Sequence, residues 1–514
     1  MSKITILTLI AFGLFSCENY LEEGFKNPNA PTVAKPSEAL PALYANMARG
    51  VQFDSRFLGR YVQYWTTTGS SGSWDRQGYD PNSDNSGEKW RTHYWNLGQN
   101  LKNMIRDARA EGKDEYIGAG HAIFAWSWLA LTDYHGDVIL KQALDAGRLT
   151  FDYDSQEDVY KEVAALCDSA DIYLNKAANK QVSADFTEAD KWFYGGDIKK
   201  WKKFVSGVRA KLLHRYSLKG ALYKPDEVIK NVNAAFATVD DEAMVKFNNG
   251  PASTEDANFY SPRRNSFGSY RPTDLVIRMM DGTVYTDVKD PRMAYLFKPS
   301  DDGTFRGVTV NLGEATTLPN ARKTYNFFGF IATVGPIGGP DVTARSYFKN
   351  DSKFPIMTMS ELLFIKAEAA FIKGDKNMAL EAFRAGIKAN FDMFTKHFTG
   401  YTNFTEKQVT NYIAAVSPDK AVDLTLKDIM TQKFIALWGY GFEETWVDMR
   451  RYKYSPDIYP TFALATFYPD NFSKNVYRVR PRYNSEYLWN VESLKKVKGL
   501  DVDYHTIPTF FAQP

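Results

Sequence analysis

Cysteine is almost absent from this chain: two in 514 residues, Cys17 and Cys167. Six histidines (His93, His121, His135, His214, His397, His505) are scattered, and neither His-Glu-x-x-His nor Cys-x-x-Cys occurs. A disulfide framework is thereby excluded, and no metal site or cofactor is expected. Neither charge sign dominates, with Lys+Arg 63 against Asp+Glu 61 and a net charge of +2. Nucleic acid and acidic membrane surfaces demand clustered basic charge, so neither is expected as the main partner. No Gly-x-Ser-x-Gly elbow is present, and Gly335-Pro336-Ile337-Gly338-Gly339 lacks the Lys-Ser/Thr of a phosphate loop and reads as a turn. A glycosidase needs only two carboxylates facing one bond, which no motif search excludes; the adjacent Glu443-Glu444 would be pointed apart by a helix.

What is present begins at the amino terminus. Lys3 gives a positive start, Ile4 to Phe15 is an uninterrupted run of apolar and small residues, and Ser16 precedes Cys17. Twelve positions are too few to span a bilayer, which takes about 20. Residues 1–16 therefore read as a lipoprotein signal peptide and Cys17 as the lipidated first residue of the mature chain. The alternative is an ordinary secretory signal with an accidental cysteine. Two or more acyl chains, at about 0.8 kcal/mol per buried methylene, anchor a protein without a spanning helix. After removal of Lys3 with the signal the net charge is +1, and Cys167 is left without a partner. Cys167 shares a helical face with Val163, Leu166, Ala170 and Leu174, so it reads as a buried, inert thiol. Residues 17–40, with Asn27-Pro28-Asn29-Ala30-Pro31, read as an extended tether.

From 41 to 514 a single, mostly α domain is expected. Leu97/Leu101/Met104/Ile105/Ala108, Val159/Val163/Leu166/Ala170 and Trp201/Phe204/Val205/Val208/Leu212 recur at helical spacing. The helix after Gly112 is apolar on both sides, through Ala119/Ile123/Trp126 and Ile117/Phe124/Trp128, and should be buried nearly all round. Residues 246–351 mix Gly, Pro, Asn and aromatics with no lasting stripe, which reads as long loops with a few short strands. Helices return at 358–390, as an Ala-rich hairpin split by Gly374-Asp375, and after a Thr425 cap.

These segments carry a resemblance. Tyr134-His135-Gly136-Asp137-Val138, Gly196-Asp197 with Trp201, Phe204 and Arg209, and Glu368-Ala369 with Gly374-Asp375 are similar to landmarks of the SusD/RagB family of Bacteroidetes surface lipoproteins. So are Gln432 to Leu437 with Gly441-Phe442-Glu443, Trp446 and Arg450-Arg451, and Arg482-Tyr483 with Glu486 and Asn490. Ile139 stands where the family commonly has proline. The resemblance implies a scaffold of four tetratricopeptide-like helix pairs with inserted loops forming a ligand face. It also implies a lipid-anchored, cell-surface outer-membrane protein that captures oligosaccharides. These would pass unaltered to a TonB-dependent, SusC-like transporter partner. A peptide or other nutrient ligand is the alternative, and a surface hydrolase the less favoured one. The motifs themselves are scaffold: Asp197 should cap a helix, and Glu443 should pair with Arg450/Arg451 across a turn.

Aromatic residues make up 15% of the chain, more than a core alone needs, and rings stack on sugar faces. Trp65 and Trp90 read as anchors of flanking helices, whereas Trp74, Arg76 and Tyr79 lie in a Gly/Ser/Asp-rich stretch with no apolar neighbours in sequence. The expected ligand-binding set is therefore Trp74, Arg76 and Tyr79, with Tyr260, Arg263, Tyr270, Phe327 and Phe328 across the face. No catalytic residues are expected. Two or three stacked rings suit weak capture, in the micromolar-to-millimolar range.

Overall fold

Proline at a first helical position opens the described chain: α1 runs Pro36–Tyr61. The fixed φ of proline suits that place, where no amide is needed, and Glu38 accepts from the Lys35 amide at 3.0 Å. This computed structural model describes residues 34–514 apart from 71, 249–256, 332–340, 399, 401 and 465. Cys17, its leader, most of the tether and the turn 335–339 lie outside the described residues. The tether expected to reach residue 40 gives way to helix at Pro36, a correction that the helix-initiating use of proline explains.

After the short strand β1 (Trp65–Thr67), α2 (Gln99–Ala110) continues from Glu88–Arg91 through a π-helical turn, Thr92–Gly98. Then come α3 (Asp114–His135), α4 (Gln156–Ala178), α5 (Ile198–His214) and α6 (Pro225–Ala234). Strands β2 (Ala243–Val245), β3 (Tyr270–Pro272) and β4 (Phe354–Met357) precede α7 (Met359–Lys373), α8 (Lys376–His397), α9 (Leu426–Leu437) and α10 (Phe442–Arg451). The pairs α2/α3, α4/α5, α7/α8 and α9/α10 pack together, giving the mostly helical, tetratricopeptide-like frame that was expected. As expected, α3 is buried along nearly its whole length. Gly118 lets α4 approach, because a Cβ there would lie 2.7 Å from Leu174 Cγ.

Caps fall where the residue types ask for them. Asp197 accepts from the Lys199 and Lys200 amides at 2.9 and 3.2 Å, and Thr425 accepts from the Asp428 amide at 3.2 Å. Gly374 ends α7 at φ 90°, and Asp375 accepts from the Met378 amide at 3.0 Å to start α8. Cys167 is buried, and burial pushes its thiol up to about 12, so it is inert.

The expected Glu443–Arg450/Arg451 pairing is not formed. Glu443 instead meets Lys89 Nζ at 2.6 Å, and Arg451 spans Glu368 and Asp448. Arg450 donates to the Asp133 carbonyl at 2.6 Å. Arg450 and Arg451 are buried and Glu443 is partly so, and their partners come from other segments, except that Arg451 also pairs with Asp448 one turn back in α10. Glu444 points away from Glu443, as expected, into a bidentate pair with Arg215 at 2.7 and 2.6 Å. Burial pushes the Glu368 carboxyl up, but Arg451 and His214 outweigh it and hold it well below the usual carboxylate range.

The irregular region 257–331 is tied down by β3, which pairs antiparallel with β1 (Trp65↔Pro272, Thr67↔Tyr270). A short helix, Asp274–Met280, capped by Thr273, departs from the reading of loops with a few short strands. Its seven residues are too few, and too uniformly buried, to show a stripe.

Candidate functional site

At the carboxyl end of α1 the chain is pinned in two places. Arg60 Nε donates to Asp75 at 2.7 Å, and Tyr61 donates to the Gly78 carbonyl at 2.6 Å. This presents Tyr79 and the segment 80–87 against the carboxyl-terminal tail, 478–505, and between them opens a cleft of about 310 Å³. Tyr79 forms part of its wall. Its hydroxyl donates to Asp470 at 3.0 Å, the Arg480 guanidinium lies 4.7 Å from its ring centroid, and its ring packs on Tyr468 and His505. Burial pushes the phenol up to about 12, with Arg480 opposing and Asp470 adding, so Tyr79 is a donor at neutral pH.

Arg480 is bent into the tail. It donates to the carbonyls of Gly499, Asp501 and Val502 at 3.2, 2.9 and 2.6 Å, and to the Tyr487 hydroxyl at 3.2 Å. The rings of Tyr483 and Tyr487, one π-helical turn apart, stack at 5.9 Å and 17° and line the same cleft. Asp84 clamps the two walls: Arg482 Nη2 lies 2.5 Å from it, and Asn484 donates through its backbone and side-chain amides at 3.0 and 2.7 Å. His505 bonds Asn471 Oδ1 through Nε2 at 2.6 Å. Burial, with Arg480 adding, pushes its imidazole down to about 3, so it is neutral. The site therefore offers flat apolar rings beside fixed donors and acceptors, the combination that binds polyhydroxylated ligands. An internal cavity of about 50 Å³, walled by Lys211, Arg215, Glu361 and Glu444, has room for ordered water but not for a sugar ring. Among the described residues no three His, Cys, Asp or Glu side chains converge to hold a metal.

Of the eight residues expected to bind ligand, Tyr79 lines the cleft. Arg76 does not line it; its guanidinium lies 5.6 Å from the Tyr468 ring, and its carbonyl accepts from the Tyr468 amide. Trp74 is a correction. It is buried against Phe57 and Tyr61 of α1, at 4.9 and 5.8 Å, neighbours that are distant in sequence. Tyr260, Phe327 and Phe328 are corrected likewise: Phe328, next to Phe327 in sequence, is buried in the hydrophobic core, and Tyr260 and Phe327 are buried in a ring core. There Phe327 stacks on Phe348 at 4.4 Å and 10°, and Tyr260 on Phe348 at 5.1 Å and 14°, with Trp65 and Trp438 around them. Tyr270 is half-buried on β3 against Phe267, and half-buried Arg263 is held through its amide by Asn350; neither lines the cleft. Sequence reasoning missed Arg480, Tyr483 and Tyr487. The dense alternation Arg478-x-Arg480-x-Arg482-Tyr483 in the Pro- and Tyr-rich tail was the available signal.

Comparison with known proteins agrees with this architecture. Among curated proteins, none matches the chain. A SusD/RagB family protein from Bacteroides thetaiotaomicron shares 20% identity at a TM-score of 0.68, covering 93% of this chain and 99% of that one. A chitin-binding SusD homologue from Flavobacterium johnsoniae shares 20% at 0.67, covering 92% and 98%. A SusD homologue from Bacteroides fragilis shares 16% at 0.70, covering 93% and 99%. A family model described as SusD-like, "starch-binding associating with outer membrane", matches residues 28–466, and on that match this chain belongs to the SusD-like family.

Proposed function

We propose that this protein is a cell-surface lipoprotein that captures oligosaccharides in the cleft between Tyr79 and the 478–505 tail. It hands them, chemically intact, to a TonB-dependent, SusC-like outer-membrane transporter. The observation that carries the reading is the tyrosine-lined cleft itself, with ring faces beside hydrogen-bonding groups whose positions are fixed by Asp84, Asp470 and Arg480. The chitin-binding relative supports the ligand class. Capture without conversion is supported by two of the cleft's three aspartates, which brace its walls: Asp84 is held by Arg482 and Asn484, and Asp470 by Tyr79. The third, Asp80, accepts from the Asn82 amide at 3.3 Å. Lipidation of Cys17 would supply the anchor, and among the described residues no helix is long and apolar enough to cross a membrane. Helix α1 then acts as a spacer. At 1.5 Å per residue, its 26 residues carry Tyr61 and the cleft about 38 Å from the point where the tether enters.

Calorimetry of the mature protein against glycan and peptide panels tests the ligand class. Micromolar-to-millimolar binding to an oligosaccharide, weakened about tenfold in Tyr483→Ala, is expected. Peptide binding alone would replace the ligand. Release of new reducing ends, abolished by a single Asp or Glu substitution, would replace capture with hydrolysis. Recovery of an outer-membrane β-barrel on affinity purification from solubilised membranes is expected, and its absence counts against the transporter role.

A further inference from the structure

The π-helical turn Thr92–Gly98 pushes Trp95 into solvent, and among the described residues it has no partner. The side chain is 75% exposed, with neither a ring contact nor a hydrogen bond to its indole nitrogen. Such turns are rare and occur frequently at functional sites. Gly98 permits this one, because a Cβ there would lie 2.7 Å from the His93 carbonyl oxygen. The outward face that follows is a row of amides, with Gln99 and Asn103 one and two turns beyond Trp95 and Asn96 and Asn100 alongside. Asparagine and glycine are poor helix formers, so the segment spends helix stability on keeping these residues.

Two of the three cations that line the groove are already engaged: Arg106 Nε donates to Asp107 at 2.7 Å, and Lys102 Nζ to the Leu144 carbonyl at 3.1 Å, while Arg109 is the third. The amides are engaged only in part. Gln99 Nε2 donates to Asn103 Oδ1 at 3.1 Å, and Asn100 Nδ2 to the Asn96 carbonyl at 2.9 Å. That leaves Gln99 Oε1 and Asn100 Oδ1 as acceptors and Asn103 Nδ2 as a donor. Gln99 and Asn103 also form the rim of a groove of about 590 Å³ whose floor is Ile105, Phe124, Leu144 and Leu166. A stacking ring, uncharged donors and acceptors and an apolar-floored trough together complement one chemistry: sugar hydroxyls around the apolar face of a pyranose, repeated along a chain.

We infer that the Trp95–Asn103 face and its groove form a second saccharide site, separate from the cleft, for a neutral polysaccharide chain. The ligand class rests on the reading of the cleft, but the location does not. The test is electrophoresis of the full mature chain through native gels containing soluble starch or glycol chitin. Leu222 is also exposed, at 66%, and lines neither the groove nor the cleft, so Leu222→Ala is the control. Trp95→Ala should weaken retardation by one polymer roughly tenfold in apparent Kd, the scale of one lost stacking contact. Gln99→Ala should weaken it less, and Leu222→Ala should leave it unchanged. Both residues are exposed, so an unchanged melting temperature is expected and excludes misfolding as the cause. Full retardation of Trp95→Ala, in gels where Tyr483→Ala is released, overturns this site and leaves the cleft standing. Wild-type protein unretarded by either polymer overturns both.

Discussion

The ring core around Phe348 and the ring-lined wall of the cleft draw on the same residue types, yet one is closed to solvent and the other open. In the core, Tyr260, Phe267 and Phe327 all meet Trp65, Phe267 meets the other two, and Phe327 meets Trp438, while β1 and β3 pair beside them. All of these rings are buried. In the cleft, Tyr79 has a carboxylate and a guanidinium as partners besides the rings of Tyr468 and His505, and Tyr483 and Tyr487, stacked on each other, are backed by a tail that Arg480 folds through carbonyls. Charged and hydrogen-bonding partners keep access to water, because burying them would cost more than the rings gain. Composition sets how many rings there are; their partners set which way they face.

The sharpest way to break this contrast is in the core. Phe327→Ala should cost about 3–5 kcal/mol of stability, the range for a buried aromatic, read as a fall in urea midpoint. Oligosaccharide affinity of the folded fraction should not change. A loss of affinity at unchanged stability would mean that the ring core, not the cleft, meets the ligand.

A second test uses His505, which lies behind Tyr79. Its folded-state pKa of about 3 lies below the ordinary 6.5, so the fold excludes a proton that the unfolded chain binds. That contribution is fully present above pH 6.5 and lost as pH falls toward 3, by about 2 kcal/mol at pH 5. Burial raises Asp54 and Asp190 to about 7 and about 6, which acts oppositely, their contribution being present at low pH and lost as pH rises through those values. The comparison with His505→Gln isolates the histidine. Between pH 7 and pH 5 the wild type should lose about 2 kcal/mol more than the variant. Equal losses would place the imidazole in contact with water and the cleft wall as less firmly built.

These contrasts also show what could be read in advance. The helical frame was legible because burial on one face repeats every three to four residues. Caps such as Asp197, Thr425 and Gly374-Asp375 act over a few neighbouring positions. Ring direction has no such local signature. Trp74 stands among Gly, Ser and Asp in the chain but lies on Phe57 and Tyr61 of α1, a contact that exists only after folding. Tyr79 was within reach because it follows the same turn. Its partners Asp470 and Arg480 lie about 400 residues on, and no periodicity joins segments so far apart.

Within the cleft, Tyr483→Ala should weaken oligosaccharide binding about tenfold, since one stacking platform is lost, while changing stability by less than about 1 kcal/mol. The same substitution in Tyr260 should reverse the two effects, with several kcal/mol of stability lost and no direct effect on binding. Matching behaviour at the two positions would erase the distinction between core and wall.

The smallest expected effect separates ring from hydroxyl at Tyr79. Tyr79→Phe keeps the face that lies beneath Arg480 and removes the donor to Asp470. The lost hydrogen bond should cost about 1 kcal/mol of stability. Affinity should stay within about twofold if the ligand uses the ring, because the stacking surface is intact. Tyr79→Ala removes both and should weaken binding about tenfold. If the phenylalanine variant loses binding as completely as the alanine one, the hydroxyl and its carboxylate partner recognise the ligand. The wall would then be a hydrogen-bonding surface whose rings only fill space, which is the role that rings play in the core.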